Sequence, residues 1–347
     1  MEQADHNEEK DSTIRSAMRH DEVQTAGEVF ADRTVIELVR VDEERAGLSL
    51  LVRDGCNTTI SPSHEYNGNT YVPLNADPTI LRVTRFPTRV SAFGSVRELF
   101  DGAARLIGRR SDLPEQLIAL ATYMVFATWL PEHFSTAPLL SIVAPPPAQS
   151  DTLLQALSAL CRRSLLISDP DPADLMAIPM DLAPTLLLDL SYPSMRLQRL
   201  LHASLKRQTN FVKGGRAINL FGPKIACSQQ PLTDPTLIGA MIEIALNPTR
   251  RQPPLRDRDA DHEEANEFQA KFLSYRLAAL QNVRAPKTDF GELTNPMHSM
   301  ARGLAACIVG DDALQRGILP LLRQQDRNNR VNLSAILESI VVEALLA

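Results

Sequence analysis

Ala137-Pro-Leu-Leu-Ser-Ile-Val-Ala-Pro-Pro-Pro-Ala-Gln-Ser-Asp-Thr-Leu-Leu154 reads as an apolar strand, a tight proline-rich loop and the opening of a helix. A strand that turns sharply into a helix aims backbone N–H groups at one point, and this is how loops cradle phosphate. The frame is therefore that of an anion-binding turn. The residues filling it argue the other way.

The phosphate-binding form is G-x-x-x-x-G-K-[ST], in which glycines let the backbone curl, lysine neutralises the phosphate oxygens and a hydroxyl holds Mg²⁺. Laid on this chain, the first glycine position is Ala144, the second Gln149, the lysine Ser150 and the hydroxyl position Asp151, with Thr152 following. Pro145, Pro146 and Pro147 offer no N–H and fix φ near −65°. Asp151 places a negative charge where phosphate would sit; at an effective dielectric of about 20, two like charges ~4 Å apart repel by roughly 4 kcal/mol. ATP bound in the usual way is not expected, and no cofactor is expected with it.

The chain has 347 residues, 44% hydrophobic and 22% charged, which allows one large domain with appendages or two domains. A net charge of −6 gives no general attraction to nucleic acid, so any such contact must be local. Cys56, Cys161, Cys227 and Cys307 stand far apart without a C-x-x-C pair and read as reduced, buried thiols of a cytoplasmic protein. The polar, acidic N-terminus does not read as a signal peptide. The apolar run Leu117–Leu130 is too short to span a bilayer and predicts a buried helix, with Trp129 in the core. The seven histidines show no i, i+4 metal pair, and no metal site is expected.

Residues 1–30 are charged and aperiodic, an acidic tail. Residues 31–92 carry short β-like runs (Thr34–Val41, Leu48–Arg53, Tyr71–Pro73, Ile80–Thr84) punctuated by Gly, Asn and Pro, a small β-rich module. Residues 93–248 open with a capping box, Ser95-Val-Arg-Glu98, and then alternate strand and helix. Strands are expected at Leu139–Val143, Ser164–Ser168, Thr185–Asp189, Ile218–Phe221 and Lys224–Ser228, with Met241–Leu246 a strand or part of a helix. Alternation of this kind predicts an α/β fold with a mostly parallel sheet covered on both faces. Residues 249–265 are Pro-rich and charged, a linker. Residues 266–347 form a helical region with helices expected over Asn266–Asn282, Pro296–Val309, Asp312–Gln325 and Asn332–Leu346.

Further landmarks follow the loop in order. Pro184-Thr-Leu-Leu-Leu-Asp-Leu190 has the form of a Walker B strand, with Asp189 at the Mg²⁺ position and Leu190 where a catalytic Glu would polarise water. Phe221-Gly-Pro-Lys-Ile-Ala-Cys-Ser-Gln229 sits where a sensor strand would be, and Asp234-Pro-Thr-Leu-Ile-Gly-Ala240 has the spacing of D-x-x-L-x-x-R with Ala240 in place of arginine. Over 92–248 the chain thus resembles the P-loop ATPase core of AAA+ or helicase type found in proteins of bacteria and mobile elements. The resemblance implies a P-loop NTPase-like sheet. It also implies an oligomer, either of this chain alone or with an active ATPase paralogue, that handles DNA. The departures at Ala144, Pro147, Gln149, Ser150, Asp151, Leu190 and Ala240 imply a subunit that has given up hydrolysis, so no catalytic residue is expected. The alternative is a nucleotide switch with an altered pocket that keeps Asp189 for Mg²⁺.

One basic region stands apart. Arg196, Arg199, Lys206, Arg207, Lys213 and Arg216, with Phe211 and Gly214-Gly215 among them, suit backbone contact and base stacking on DNA. In hexameric helicases the corresponding region can form a hairpin that grips DNA in the pore. A solvated helix face and a surface turn would have the same composition.

Overall fold

The apolar runs after residue 138 form one parallel sheet, because strands buried on both faces need helices as crossovers between them. The computed structural model describes residues 21–42, 47–55, 57–146, 150–247 and 258–346. The chain divides into two units, 1–78 and 79–347, so that residues 79–92 fall in the second, ahead of the boundary drawn at 92 from the sequence.

The first unit holds β1 (Asp21–Thr25), β2 (Gly27–Val29), β3 (Val35–Asp42), β4 (Gly47–Asp54), β5 (Asn57–Ser61), β6 (His64–Tyr66) and β7 (Asn69–Pro73). The stretch from Asp21 to Phe30, expected as part of a tail, thus belongs to the β module through pairing with β7 and β3. Strands β2-β3-β4-β5 make an antiparallel meander, and β1-β7-β6 a three-stranded sheet. Asn67-Gly68 takes φ of 48° and 80°, the doubly left-handed turn that suits a two-residue hairpin between β6 and β7. The Phe30 ring stacks on Tyr66 at 3.9 Å between centroids and meets Tyr71 edge-on at 5.0 Å.

The second unit opens with α1 (Pro78–Val83), α2 (Val96–Arg109) and α3 (Glu115–Trp129). The expected strand at Ile80–Thr84 is instead α1: Pro78 occupies its first position, and the Thr84 hydroxyl bonds the Ile80 carbonyl at 2.8 Å. Proline preset for a helical turn outweighs a short β-branched run. The capping box before α2 forms as read, with Glu98 Oε2 accepting from the Ser95 N–H at 2.7 Å. Helix α3 is buried continuously from Leu120 to Trp129, as an all-round apolar helix must be.

Then come β8 (Leu139–Val143), α4 (Ser150–Leu160), β9 (Ser164–Ser168), α5 (Pro172–Leu175), β10 (Thr185–Leu190) and α6 (Met195–Ser204). They are followed by β11 (Phe211–Lys213), β12 (Arg216–Ile218), β13 (Lys224–Ser228), α7 (Pro235–Ile238) and β14 (Ile242–Ala245). The sheet runs β14-β8-β13-β10-β9, every neighbour parallel. The chain leaves β8, crosses two strand positions to the far edge at β9, and then steps back through β10 and β13 to β14. Right-handed crossovers put α4 on one face and α5, α6 and α7 on the other.

The last helices, α8 (Arg258–Ala279), α9 (Met297–Ala306) and α10 (Asp312–Leu346), complete the layers. Helix α4 lies against α2 and α8, whereas α6 packs with α5 and α7, and α7 with α10. Three expectations are corrected here. Of the charged linker expected over 249–265, the part from Arg258 onward is the start of α8, whose first turn carries Asp259 and Asp261. The segment expected as a strand at Ile218–Phe221 contributes only Ile218, to the hairpin β11–β12 outside the main sheet. The helices expected at Asp312–Gln325 and Asn332–Leu346 are one helix, α10, with Pro320 inside it. The polar stretch between them does not break the helix because it serves the sheet. Edge strand β14 exchanges two bonds with the Gln325 amide, Glu243 N–H to Oε1 at 3.1 Å and Nε2 to the Glu243 carbonyl at 2.7 Å. Asn329 Nδ2 adds a bond to the Met241 carbonyl at 3.2 Å. The edge is thereby covered by side-chain amides instead of a further strand.

Candidate functional site

In an open parallel sheet, ligands bind outside the carboxyl ends of strands, where neighbouring strands send their connections to opposite sides. Here that point lies between β8 and β13, since β8 leads towards β9 and β13 towards β14. A cleft of 260 Å³ occupies it, lined by the ends of β8, β10 and β13 and the first residue of α4.

Ala144 is buried at the mouth of β8, and its N–H donates to the Ser228 carbonyl at 2.8 Å, which leaves it no donor for a ligand. Pro147 and Gln149 lie outside the described residues. Ser150 begins α4 and lines the cleft beside the Cys227 thiol, which burial pushes up to about 12, against the Ser150 hydroxyl bonded to it. Such a thiol stays protonated near neutrality and is a poor nucleophile. Asp151 is exposed on the first turn of α4. The Thr152 hydroxyl turns away and donates to the Arg110 carbonyl at 2.8 Å.

Asp189 reaches the cleft from β10, half-buried. Burial raises its pKa, and the charges of Asp151 and Asp169 raise it further. Asp169 went unnoticed in the sequence because Ser-Asp-Pro-Asp-Pro172 reads only as a turn. Its carboxylate accepts from the Ser191 N–H and hydroxyl, both at 2.6 Å, and these bonds lower its pKa. Among the described residues lining the cleft there is no lysine or arginine, and among all described residues no cluster of His, Cys, Asp or Glu is arranged to hold a metal ion. An Mg²⁺-nucleotide does not fit this set: hydroxyls and a thiol face it, with carboxylates in place of cations.

The remaining landmarks have structural occupations. Leu190 lies on the cleft wall but is buried in the apolar cluster with Leu197, Leu201 and Leu232, so the position of the catalytic Glu offers the cleft no polar group. Asp234 caps α7, accepting from the Thr236 and Leu237 N–H groups at 3.0 and 3.2 Å, and Ala240 is buried. The D-x-x-L pattern is thus explained by a helix cap and a core leucine.

The basic residues separate into two groups. Arg207 is held inward: Nε donates to the Phe134 carbonyl at 3.0 Å, a terminal nitrogen to the Pro131 carbonyl at 2.8 Å, and its guanidinium lies 4.2 Å above the Phe221 ring. Arg199 faces Asp234 at 3.6 Å, and Phe211 packs onto the core cluster, so its ring is not a free stacking platform. Arg196, Lys206, Lys213 and Arg216 are exposed. Lys213 and Arg216 sit opposite each other at the tip of β11–β12, joined by Gly214-Gly215 with φ of 58° and 78°. Both glycines take the left-handed region that a two-residue hairpin demands. Val212 stands 77% exposed beside them.

Among the described residues, no helix is long and apolar enough to cross a membrane. No protein-family model matches this chain, and no curated protein does. Solved structures give distant likenesses. A full-length MCM homologue from Methanopyrus kandleri is 13% identical over 85% of this chain and 78% of its own, with a TM-score of 0.40. The C-terminal region of NrS-1 is 10% identical over 68% of this chain, which spans 66% of that region, at 0.38. The JCV helicase is 11% identical over 69% of this chain and 66% of its own, at 0.33. What is consistent with a P-loop NTPase-like fold is the five-stranded parallel sheet itself, flanked by helices, with its strand–loop–helix unit opening on the switch-point cleft.

Proposed function

We propose that this chain is a catalytically inactive AAA+-like subunit, a scaffold or assembly partner in DNA-related processing, assembled with itself or with an active ATPase paralogue. The observation that carries this reading is the lining of the switch-point cleft: Ser150, Asp189, Ser191, Cys227 and Ser228, with no cation among the described residues. A triphosphate placed there would meet Asp189 and the nearby Asp151 and Asp169, and nothing on the described walls would offset its charge. Leu190 and Ala240, both buried, support the same reading, since neither can polarise water nor reach a neighbouring site.

The test is calorimetry with ATP and ADP in the presence of Mg²⁺. The wild type should give no detectable heat at near-millimolar nucleotide. Ser150→Lys combined with Asp151→Ser supplies a cation and removes a like charge, and it should gain measurable affinity. Micromolar binding at the wild-type loop would overturn the reading in favour of a nucleotide switch with an altered pocket.

A second reading, a DNA-binding adaptor, is favoured by the β11–β12 tip, which presents Lys213 and Arg216 beside exposed Val212 on a tight glycine turn. If it holds, replacing Lys213 and Arg216 by alanine should weaken single-stranded DNA binding about uniformly across sequences. The salt dependence should fall by roughly one power for each phosphate no longer neutralised. An unchanged affinity and salt slope would remove the hairpin from consideration.

A further inference from the structure

The end of the sheet opposite the loop has the reverse electrostatics. A cleft of 340 Å³ opens where the segment before β8 meets the end of α8 and the outer face of α9. Its polar lining is Arg284, Arg302, His133, Ser135, Thr136 and Ser299, with no carboxylate among its lining residues. Neither guanidinium has a hydrogen bond or an ion pair within the described residues, and the three hydroxyls are likewise without side-chain bonds there. Arg97, Arg89 and Arg323 on the same chain of net charge −6 are matched to Asp311, Glu267 and Glu292.

The walls are fixed. The Ser135 carbonyl accepts from the Arg207 N–H at 3.0 Å, Thr136 forms a β-bridge with Lys206, and the Ala137 N–H donates to the Leu205 carbonyl at 2.7 Å. On the other side Gly303 lets α9 close onto the buried Phe134 ring: a Cβ at this position would lie 2.4 Å from a ring carbon. His133 is turned to the Leu280 carbonyl at 3.3 Å, and burial lowers its pKa, so the positive charge of the cleft is that of the two arginines. Exposed Lys206 extends the positive field past Thr136.

The geometry points to a phosphate-binding site in this cleft, with Arg284 and Arg302 neutralising an oxyanion and the hydroxyls of Ser135, Thr136 and Ser299 donating to its oxygens. Guanidinium forks and small hydroxyls are the donor set that phosphate oxygens accept from. The phosphate is that of a nucleic-acid backbone or of a small free phosphate compound. The two share this chemistry and differ in which probe binds. Neither arginine depends on the state of the degenerate loop.

Full-length protein is titrated with a labelled mixed-sequence single-stranded oligonucleotide and, separately, with pyrophosphate, between about 50 and 200 mM salt. The variants are Arg284→Ala with Arg302→Ala, and Lys213→Ala with Arg216→Ala. All four side chains are exposed, so both variants should keep the wild-type circular dichroism. Binding of at least one probe that falls about tenfold or more in the Arg284/Arg302 variant, with a shallower salt slope, is expected. Loss confined to the oligonucleotide assigns the backbone as the source, and loss with pyrophosphate as well assigns a phosphate group in general. Wild-type protein that binds neither probe overturns the inference, as does an Arg284/Arg302 variant that binds both as the wild type does. A calorimetric nucleotide signal that disappears with Arg284 and Arg302 belongs to this cleft, whereas one that persists belongs to the loop.

Discussion

Trp129→Ala should destabilise the protein by about 3–5 kcal/mol, the largest loss expected from any single truncation in the core. The side chain is fully buried. Its indole N–H donates to the Leu160 carbonyl at 2.9 Å, which ties the end of α3 to the end of α4 just before the edge strand β9. The ring lies parallel to Phe272 of α8, with centroids 5.6 Å apart and planes 10° apart. Phe126, one turn earlier, meets Phe272 and Tyr275 edge-on at 5.1 and 5.0 Å. Removing the indole therefore opens a void among three helices and leaves the Leu160 carbonyl without its donor, which itself costs about 1–3 kcal/mol. Trp129→Phe removes the N–H with a smaller loss of ring volume, so it weights the lost hydrogen bond more heavily than the void. It should cost about a third to a half of the alanine change. Urea unfolding followed by far-ultraviolet circular dichroism measures both. An alanine variant within about 1 kcal/mol of wild type would mean that the α3–α8 interface is far looser than its geometry.

That Trp129 belonged to the core was legible from its place at the end of an uncharged run, as was the α/β class from alternating apolar strands and amphipathic helices. Periodicity reports which face is buried and does not depend on the partner. Strand order was not legible, because the sequence between β8 and β9 does not record how many strand positions α4 crosses. The misread elements share one cause, polar or β-branched residues whose role is tertiary. Gln325 and Asn329 looked like the end of a helix because they are polar, and they are polar because they bond the open edge of β14. Ile80-Leu-Arg-Val83 looked like a strand until Pro78 was allowed to begin a helix. In the candidate site the sequence identified the loop, Asp189 and Leu190 through spacing alone. Asp169 escaped, because it comes to the cleft from the end of a different strand and no spacing relates it to Asp189. The cleft around Arg284 and Arg302 escaped for the same reason: Ser135 and Thr136 lie more than a hundred residues ahead of Arg284, Ser299 and Arg302.

Between pH 7 and 8.5 the stability of the wild type should rise by roughly 1–2 kcal/mol relative to that of Lys224→Met. Lys224 opens β13 as a fully buried ammonium with no carboxylate beside it. Its Nζ donates to the Leu220 and Gly222 carbonyls at 2.8 and 2.9 Å and lies 3.4 Å from that of Ser204. Burial pushes its pKa down to about 7 from the ordinary 10.5. Between those values the unfolded chain binds a proton that the folded chain has released, so unfolding becomes harder as pH rises through the window. The difference between the wild type and Lys224→Met over pH 7 to 8.5 isolates this group. His133 and His202, lowered by burial, exert most of their effect below this window. Cys161, Cys227 and Cys307, all raised by burial, oppose the trend towards the upper end of the window as unfolded thiols begin to ionise, and they do so equally in Lys224→Met. Methionine keeps the length of the side chain and removes both the proton and the donors. The variant should therefore lose about 1–3 kcal/mol for each carbonyl left unpaired, and lack the rise with pH that Lys224 gives in this range. Urea midpoints at several pH values decide it. A wild-type profile that does not rise relative to Lys224→Met from 7 to 8.5 would show that the carbonyls hold the ammonium strongly enough to cancel its desolvation. Lys224 would then act as a charged clasp joining the end of α6 and the 220–222 turn to β13 at every physiological pH.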